Sequence, residues 1–359
     1  MIEYSIFFRK FAASNSKTMT MNLAERLEAL VALGDYIQQD SPERQRVLRQ
    51  SYHHNGWFTP ENSLLALERI AQAFLRRTVL EEWVAQYPAL QEERTQKRVG
   101  LVLAGNIPAV GFHDLLCCFV AGHQALVKFS DKDKFLMAFL IEGLIAQDER
   151  AKAYFEPTPI LKNFDGVIAT GSNNSALYFE QYFGKYPNII RQNRNAVGVL
   201  TGQETEADFL ALGKDIFTYF GLGCRSVSKL YVPEDYDFVP LLRTLDSYKD
   251  IHQHNKYRNN YDYNRSIYYL NNVPHLLNDC LMLLEDKSLL SRISSLHYET
   301  YSSQEALEKE LRTRADEIQC VVGQLSLDTI DVVPFGESQW PRLADYADGV
   351  DTMAFLTNL

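Results

Sequence analysis

Between Val99 and Ser172 three short apolar runs alternate with segments of helix length. That alternation restricts the fold more than any other feature of the chain. "VGLVLAG" begins at Val99, "ALVKF" at Ala125 and "GVIATG" at Gly166. Each is too short for a helix and too apolar for an exposed loop, so each reads as a strand buried on both faces. The spacing predicts helices from Pro108 to about Val120, from about Asp133 to Ile145, and after Ser172. Strand, helix, strand, helix, strand at these lengths is a parallel unit with right-handed crossovers, one Rossmann-like half.

A second such half is predicted to begin near Cys224. "RSVSKLYVP" alternates Val227, Lys229 and Tyr231 as a strand does, and residues 235–248 read as helical. "LLSRISSLHYETYS" reads as a long strand, "SQEALEKELRTRA" as a helix and "IQCVVG" as a strand. Ahead of both halves lie helices. "NLAERLEALVALGDYI" puts Leu23, Leu27, Leu30 and Ile37 on one face behind Asn22 as N-cap, and Thr59-Pro60 is a cap and first-turn pair. The polar, tyrosine-rich stretch "YRNNYDYNRSIYYLNN" is expected at a surface or interface, with a substrate-lining role as the alternative.

Composition removes several function classes. A net charge of −10 leaves no basic stripe for nucleic acid. No apolar run approaches the ~18 residues of a membrane span. The first residues, "MIEYSIFFRKFAASNSKTMTMN", are too briefly apolar for a secretory signal, and Met19 or Met21 is an alternative start. Five scattered cysteines give neither a disulfide framework nor a zinc pattern, and a cytoplasmic setting is expected.

Of the cysteines, Cys117 and Cys118 lie in the apolar "DLLCCFVAG", and Cys280 and Cys320 sit in apolar surroundings as well. All four are expected in the core. Cys224 differs: it follows Gly-Leu-Gly and precedes Arg225 at the mouth of a strand. A turn of that kind gives a thiolate access to substrate and to backbone N–H groups, so Cys224 is the candidate nucleophile. A tetrahedral intermediate on sulfur needs a donor for its oxyanion. Asn106 in "LAGNIP" stands at the carboxyl end of the first strand, where ligands collect in this architecture; its alternative role is to cap the helix that follows.

The segment "LVLAGNIPAVGFHDLLCCFVAGHQALVKFSDKD", the turn "ATGS" at 169–172 and "GLGCRSVSKLYVP" resemble, in order and spacing, three segments of the aldehyde dehydrogenase superfamily. Within it the pattern is similar to the fatty acyl-CoA reductase family of bacterial bioluminescence, as is the ending "VPFGESQWPRLADYADGVDTMAFL". The resemblance implies an α/β fold of aldehyde dehydrogenase type, with two Rossmann-like parallel-sheet domains and an N-terminal helical segment. It implies a dinucleotide-binding domain over 1–200 with those helices, a catalytic domain over 201–335, and a tail over 336–359 that packs back or lies at an oligomer interface. It assigns Cys224 as nucleophile and Asn106 as oxyanion-hole amide. Lys128 and Ser130 would lie at the adenosine ribose, and Thr170, Gly171 and Ser172 near the pyrophosphate. A surface lysine and a plain helix cap are the other readings of Lys128 and Ser172.

The implied activity is NADPH-dependent reduction of a fatty acyl thioester, from acyl-CoA or an acyl-protein, to the aldehyde. NADH is the alternative cofactor: Asp131 suits a ribose 2′-hydroxyl, whereas Lys132 and Lys134 suit a 2′-phosphate. An acyl-protein ligase partner and a homo-oligomer are implied too. One departure bears on chemistry. Where hydrolytic members carry a water-activating glutamate, "IIRQNRNAVGVL" at 189–200 has no carboxylate. An acyl group on Cys224 would then lack a general base for hydrolysis. Arg191 and Arg194 in that stretch would meet phosphates, or form a solvated loop. The rival activities are a CoA-acylating dehydrogenase of short aldehydes, a cysteine-dependent acyl-transfer protein without nicotinamide, and a non-catalytic binding module. "HQH" at 252–254, the aspartates 345, 348 and 351, and His113 are expected to serve packing and turns.

Overall fold

A computed structural model describes residues 20–92, 95–328 and 330–359. The expected leader and Met19 lie outside them. The chain divides into two compact units, 1–192 with 342–359 and 193–341. The expected boundary at residue 200 thus moves to 192/193, because residues 195–199 belong to the second sheet.

Among the described residues of the first unit, four α-helices precede the sheet: α1 (Leu23–Gln38), α2 (Pro42–His54), α3 (Pro60–Ala73) and α4 (Arg77–Val84). Asn22 and Glu25 form a reciprocal capping box on α1, and Thr59 caps α3 with Pro60 in its first turn, so local chemistry fixes both starts. Leu30, Leu33 and Ile37 of α1 are fully buried, while Leu23 and Leu27 pack at the margin of the same core. The sheet has β1 (Arg98–Val102), β2 (Gln124–Lys128), β3 (Phe155–Pro157), β4 (Gly166–Thr170) and β5 (Asn188–Arg191) in the order β3-β2-β1-β4-β5, all parallel. Helices α5 (Phe112–Val120), α6 (Lys134–Gln147) and α7 (Asn173–Phe183) make the crossovers. Central β1 is flanked by β2 and β4, so the chain reverses direction across the sheet beside β1.

The expected helix from Pro108 starts only at Phe112. Ala109 has φ +55°, which a right-handed helix cannot contain, and its N–H donates to Asp133 Oδ2 at 2.6 Å. The Cβ of Asp133 lies 3.3 Å from where a Cβ on Gly105 would stand, and that added Cβ would overlap Ser130 Oγ at 2.3 Å. Glycine at 105 therefore lets the loop after β1 rest directly on the loop after β2. Asp133 is 2 % exposed, and burial raises its pKa to about 7.

Residues 342–359 belong to the first unit, whereas 336–341 belong to the second. Arg191, at the end of β5, donates to both oxygens of Asp114 on α5, at 2.7 and 2.6 Å, and to Thr352 Oγ1 at 2.8 Å. Thr352 opens α12 (Thr352–Thr357). His113 and His123 hydrogen-bond the carbonyls of Leu343 and Leu356, and Tyr346 and Asp351 both bond the Tyr87 hydroxyl. His113 is thus packed, among Phe74, Trp83 and Tyr346, as the sequence suggests.

The second unit holds β6 (Asn195–Val199), β7 (Val227–Pro233), β8 (Leu276–Leu277), β9 (Met282–Glu285), β10 (Ser295–Tyr301), β11 (Ile318–Val322) and β12 (Val332–Val333). Their order is β12-β11-β6-β7-β10-β9-β8, parallel except for β8. The long strand expected at 289–302 begins only at Ser295, because Ser294 has φ +64°. Helices α8 (Glu206–Phe217), α9 (Val239–Leu245), α10 (Asn255–Leu270) and α11 (Gln304–Thr313) complete the unit. The tyrosine-rich stretch is α10; it buries Tyr257, Tyr261 and Tyr268 and exposes Tyr263 and Tyr269.

Two predictions follow from the buried acids. Arg191→Ala leaves Asp114 buried without its partner and should cost about 3–5 kcal/mol, read by urea denaturation. Asp133 is protonated when folded and ionised when unfolded between about pH 4 and pH 7. Its contribution to stability is full below that window and is lost as pH rises through it. Urea midpoints at pH 5 and pH 8 should therefore differ less in Asp133→Asn than in the natural protein.

Candidate active site

Parallel pairing sends the loops after β1, β2 and β4 to one edge of the first sheet. Asn106 is exposed in the loop after β1, and Gly111, not Asn106, stands at the N-cap of α5. The capping alternative for Asn106 therefore falls away. The loop that carries it is pinned by Asp133 through Ala109 and by the close approach of Gly105 to Ser130. Lys128 is exposed at the last position of β2, paired in register with Val102 of β1. Ser130 Oγ accepts from the Lys132 N–H at 3.3 Å, which orders the turn 130–133. Asp131 and Lys132 are exposed on that turn; the Lys134 ammonium lies 5.3 Å from the Phe135 ring centre.

After β4, Thr170 and Gly171 lead to Ser172, which caps α7 by accepting from the Ser175 N–H at 3.3 Å. The Gly171 N–H donates to the Arg191 carbonyl. A Cβ on Gly171 would meet Phe179 and Ser175 at 2.8 Å, so only glycine lets the backbone lie against the start of α7. The exposed first turn of α7 presents the positive end of its dipole beside the edge that carries Asn106 and Lys128. The first unit thus gathers Asn106, Lys128, Ser130, Thr170, Gly171 and Ser172 on adjacent strand ends.

Arg191 departs from its expected place at a phosphate. It is 3 % exposed and held by Asp114 and Thr352. Its charge is spent on the fold. Arg194 donates to the carbonyls of Ala315 and Ile318.

In the second unit, Cys224 lies at position two of the turn Gly223–Ser226, just before β7, and is half-buried. The Ser226 N–H donates to the Gly223 carbonyl at 3.0 Å, and the Gly223 N–H donates to Ser226 Oγ at 3.2 Å. Upstream, Tyr219, Phe220 and Gly221 have φ of +54°, +59° and +72°. These left-handed residues turn the chain from the end of α8 into the cysteine turn. The other thiols behave as expected in most respects. Cys117, Cys118 and Cys280 are fully buried, and burial raises the pKa of each. Cys320 is only partly buried at the residue level, yet its thiol is pushed up to about 12 by burial. Lys229 is committed to structure: its ammonium donates to Glu299 at 2.5 Å and to the carbonyls of Asp286 and Lys287.

His254 caps α10 and Asp351 caps α12, while Asp345 pairs with Arg342. Among the described residues no cluster of His, Cys, Asp or Glu is arranged to hold a metal, and no helix is long and apolar enough to cross a membrane. The sequence reading missed Gly105, Asp133 and Ser226, which shape the loop after β1 and the cysteine turn. Of these, Gly105 carries a local signal, the glycine at a strand end.

Three comparisons bear on this arrangement. A relative from Photobacterium leiognathi, "Long-chain acyl-protein thioester reductase 2", is 23% identical over 194 residues, which is 49% of this chain and 41% of that protein. The match thus spans less than half of that relative. The fold is similar to that of aldehyde dehydrogenase 21 from Physcomitrella patens, with TM-score 0.68 and 13% identity over 98% of this chain and 86% of that one. It is also similar to a putative aldehyde dehydrogenase from Burkholderia cenocepacia, with TM-score 0.62 and 12% identity over 86% and 76%. The fold is therefore of aldehyde dehydrogenase type, as the segment resemblance implies. A family profile described as Acyl-CoA reductase (LuxC) matches residues 35–239, more than half of the chain and all of the candidate residues above. By that match, the chain belongs to the LuxC family of acyl-CoA reductases.

Proposed function

We propose that the protein reduces a fatty acyl thioester, delivered as acyl-CoA or on an acyl-protein, to the aldehyde through an acyl group carried on Cys224. The observation that carries this reading is the Cys224 turn: a half-buried thiol on a hydrogen-bonded turn at a strand mouth, inside the span that matches an acyl-CoA reductase family. The name of the Photobacterium relative supports a long-chain acyl-protein donor.

The Cys224 thiolate attacks the thioester carbonyl carbon. A new C–S bond forms, the carbonyl π pair moves to oxygen, and the original thiolate leaves as the carbonyl re-forms. The side-chain amide of Asn106 donates to that oxygen while it is negative. The acyl-cysteine then gains two electrons and one proton at its carbonyl carbon to become a thiohemiacetal anion. The negative oxygen re-forms a carbonyl as the C–S bond breaks, which gives the aldehyde and restores the Cys224 thiolate. Residues 189–200 offer no carboxylate to activate water against the acyl-cysteine, which favours reduction over hydrolysis.

The edge of the first sheet fits a nicotinamide dinucleotide. Gly171 and Ser172 at the start of α7 suit the pyrophosphate, and Lys128 and Ser130 suit the adenosine ribose. Exposed Lys132, beside Ser130, supports NADPH over NADH. A reduced nicotinamide, when bound, supplies the two electrons as hydride. The proposal includes an acyl-protein ligase as an acyl donor, self-association of the chain and a cytoplasmic setting.

Incubation with tetradecanoyl-CoA without reductant should leave a covalent acyl group on the peptide containing Cys224, read by mass spectrometry. Cys224→Ala should lose both that adduct and acyl-CoA-dependent NADPH consumption; retained turnover would refute the assignment. Asn106→Ala should keep the thiol and lower kcat by about 100- to 1000-fold. A chain-length series of acyl-CoAs and aldehydes separates this activity from a short-chain, CoA-acylating one.

A further inference from the structure

Around the Cys224 turn, buried polar groups form a closed circuit within the second unit. Ser226 Oγ accepts from the Gly223 N–H on one side and from Gln339 Nε2 at 3.3 Å on the other. Ser226 and Gln339 are 2 % and 7 % exposed, so neither bond competes with bulk water. Gln339 lies on the loop that follows β12. That loop is held at Gly336 and Ser338 by one carboxylate, Asp215 of α8. Asp215 Oδ2 accepts from the Gly336 N–H at 2.6 Å. Its Oδ1 accepts from the Ser338 N–H at 3.0 Å and from the Ser338 hydroxyl at 2.7 Å. Asp215 and Ser338 are fully buried. Gly336 has φ +85°, and a Cβ there would press on Ala211 of α8 at 3.3 Å, so the loop lies directly on the helix.

Helix α8 therefore reaches the cysteine turn by two routes. One is covalent, through the left-handed residues Tyr219–Gly221 that leave its C-terminus. The other is the hydrogen-bonded route from Asp215 through Ser338 and Gln339 to Ser226. A turn fixed at both ends to one helix has little freedom to tilt. We propose that Gln339 and Ser226 are positioning residues for the nucleophile: the Asp215-anchored 336–339 loop aims the Cys224 thiol by gripping its turn from behind. Neither residue touches the reacting atoms in this account; both act through the turn.

This inference rests on Cys224 being the nucleophile, and the test separates the two. The full-length chain is alkylated with iodoacetamide at pH 7, the rate of Cys224 modification is followed by peptide mass spectrometry, and kcat and KM are measured with tetradecanoyl-CoA and NADPH. Gln339→Leu and Ser226→Ala should each slow Cys224 alkylation and lower kcat about tenfold, since small displacements of a reacting group carry large rate costs. KM for NADPH should stay within twofold. The double variant should be no slower than the worse single variant, because both cut one link. Ser226→Thr, which keeps a hydroxyl, should restore most of the rate; a merely space-filling serine would not give that rescue. Should Ser226→Ala fail to fold, Gln339→Leu decides alone. Alkylation of Cys224 at the natural rate in Gln339→Leu would overturn the positioning role while leaving the nucleophile in place. If the acyl group in the natural protein maps to a cysteine other than Cys224, the nucleophile assignment fails and this inference falls with it.

Discussion

Parallel pairing of β1 with both β2 and β4 is the constraint that sets the arrangement of the first unit's candidate residues. A strand paired in parallel on both edges must be reached by crossovers, and each crossover returns its loop to the same end of the sheet. The loops after β1, β2 and β4 therefore end up side by side, with the reversal of winding between β1 and β4. Asn106 stands after β1, Lys128 and Ser130 at the end of β2, and Thr170–Ser172 at the end of β4. No single segment could bring these side chains together. The hydrogen-bond geometry of the sheet does it, and the candidate residues are the ones that happen to occupy the strand ends.

Loops at a sheet edge are free to wander unless something stops them, and here buried carboxylates do so. Asp133 holds the loop of Asn106 through the Ala109 N–H. Asp215 holds the loop of Gln339 through two N–H groups and a hydroxyl. Asp114 holds Arg191, which in turn holds the start of α12. Each buried acid carries a desolvation cost, and burial is the largest influence on both Asp133 and Asp215, whose pKa values are raised. A loop fastened by backbone N–H groups to a fixed carboxylate gives a defined geometry that apolar packing alone does not impose. The expense falls on the loops beside the candidate catalytic groups.

How much of this was legible in the sequence follows from which interactions are local. The strands at 99, 125, 166 and 227 and the caps at Asn22 and Thr59 depend on short-range patterns, and they appear where the pattern puts them. Cys224 stood out because its neighbours are glycine and arginine rather than apolar residues. The late start of α5 was hidden, since the Asp133 carboxylate that claims the Ala109 N–H comes from 24 residues downstream. Arg191 looked like a ligand for phosphate because its partners, Asp114 and Thr352, are 77 and 161 positions away. Gln339 and Ser226 are separated by 113 residues, and no periodicity links them. What the sequence conceals is the set of long-range polar bonds, and the positioning of the site is built from these.

The approach to Cys224 shows why such bonds are worth their cost. Left-handed backbone in a tyrosine and a phenylalanine is unfavourable by about 1–2 kcal/mol for each residue relative to the right-handed form. The chain accepts it twice in succession, at Tyr219 and Phe220. The conformation persists because the side chains are captured. Tyr219 is 5 % exposed, and the Phe220 ring lies 4.3 Å from that of His254, the cap of α10, and 6.2 Å from that of Tyr257. Strain held in place by surrounding structure at a reactive residue is a recurrent device for fixing a geometry that the local sequence would not adopt unaided. Upstream, aromatic packing bends the chain into the turn. Downstream, Ser226 closes it. The turn that carries Cys224 is thus restrained on both sides by contacts outside the segment Gly223–Arg225.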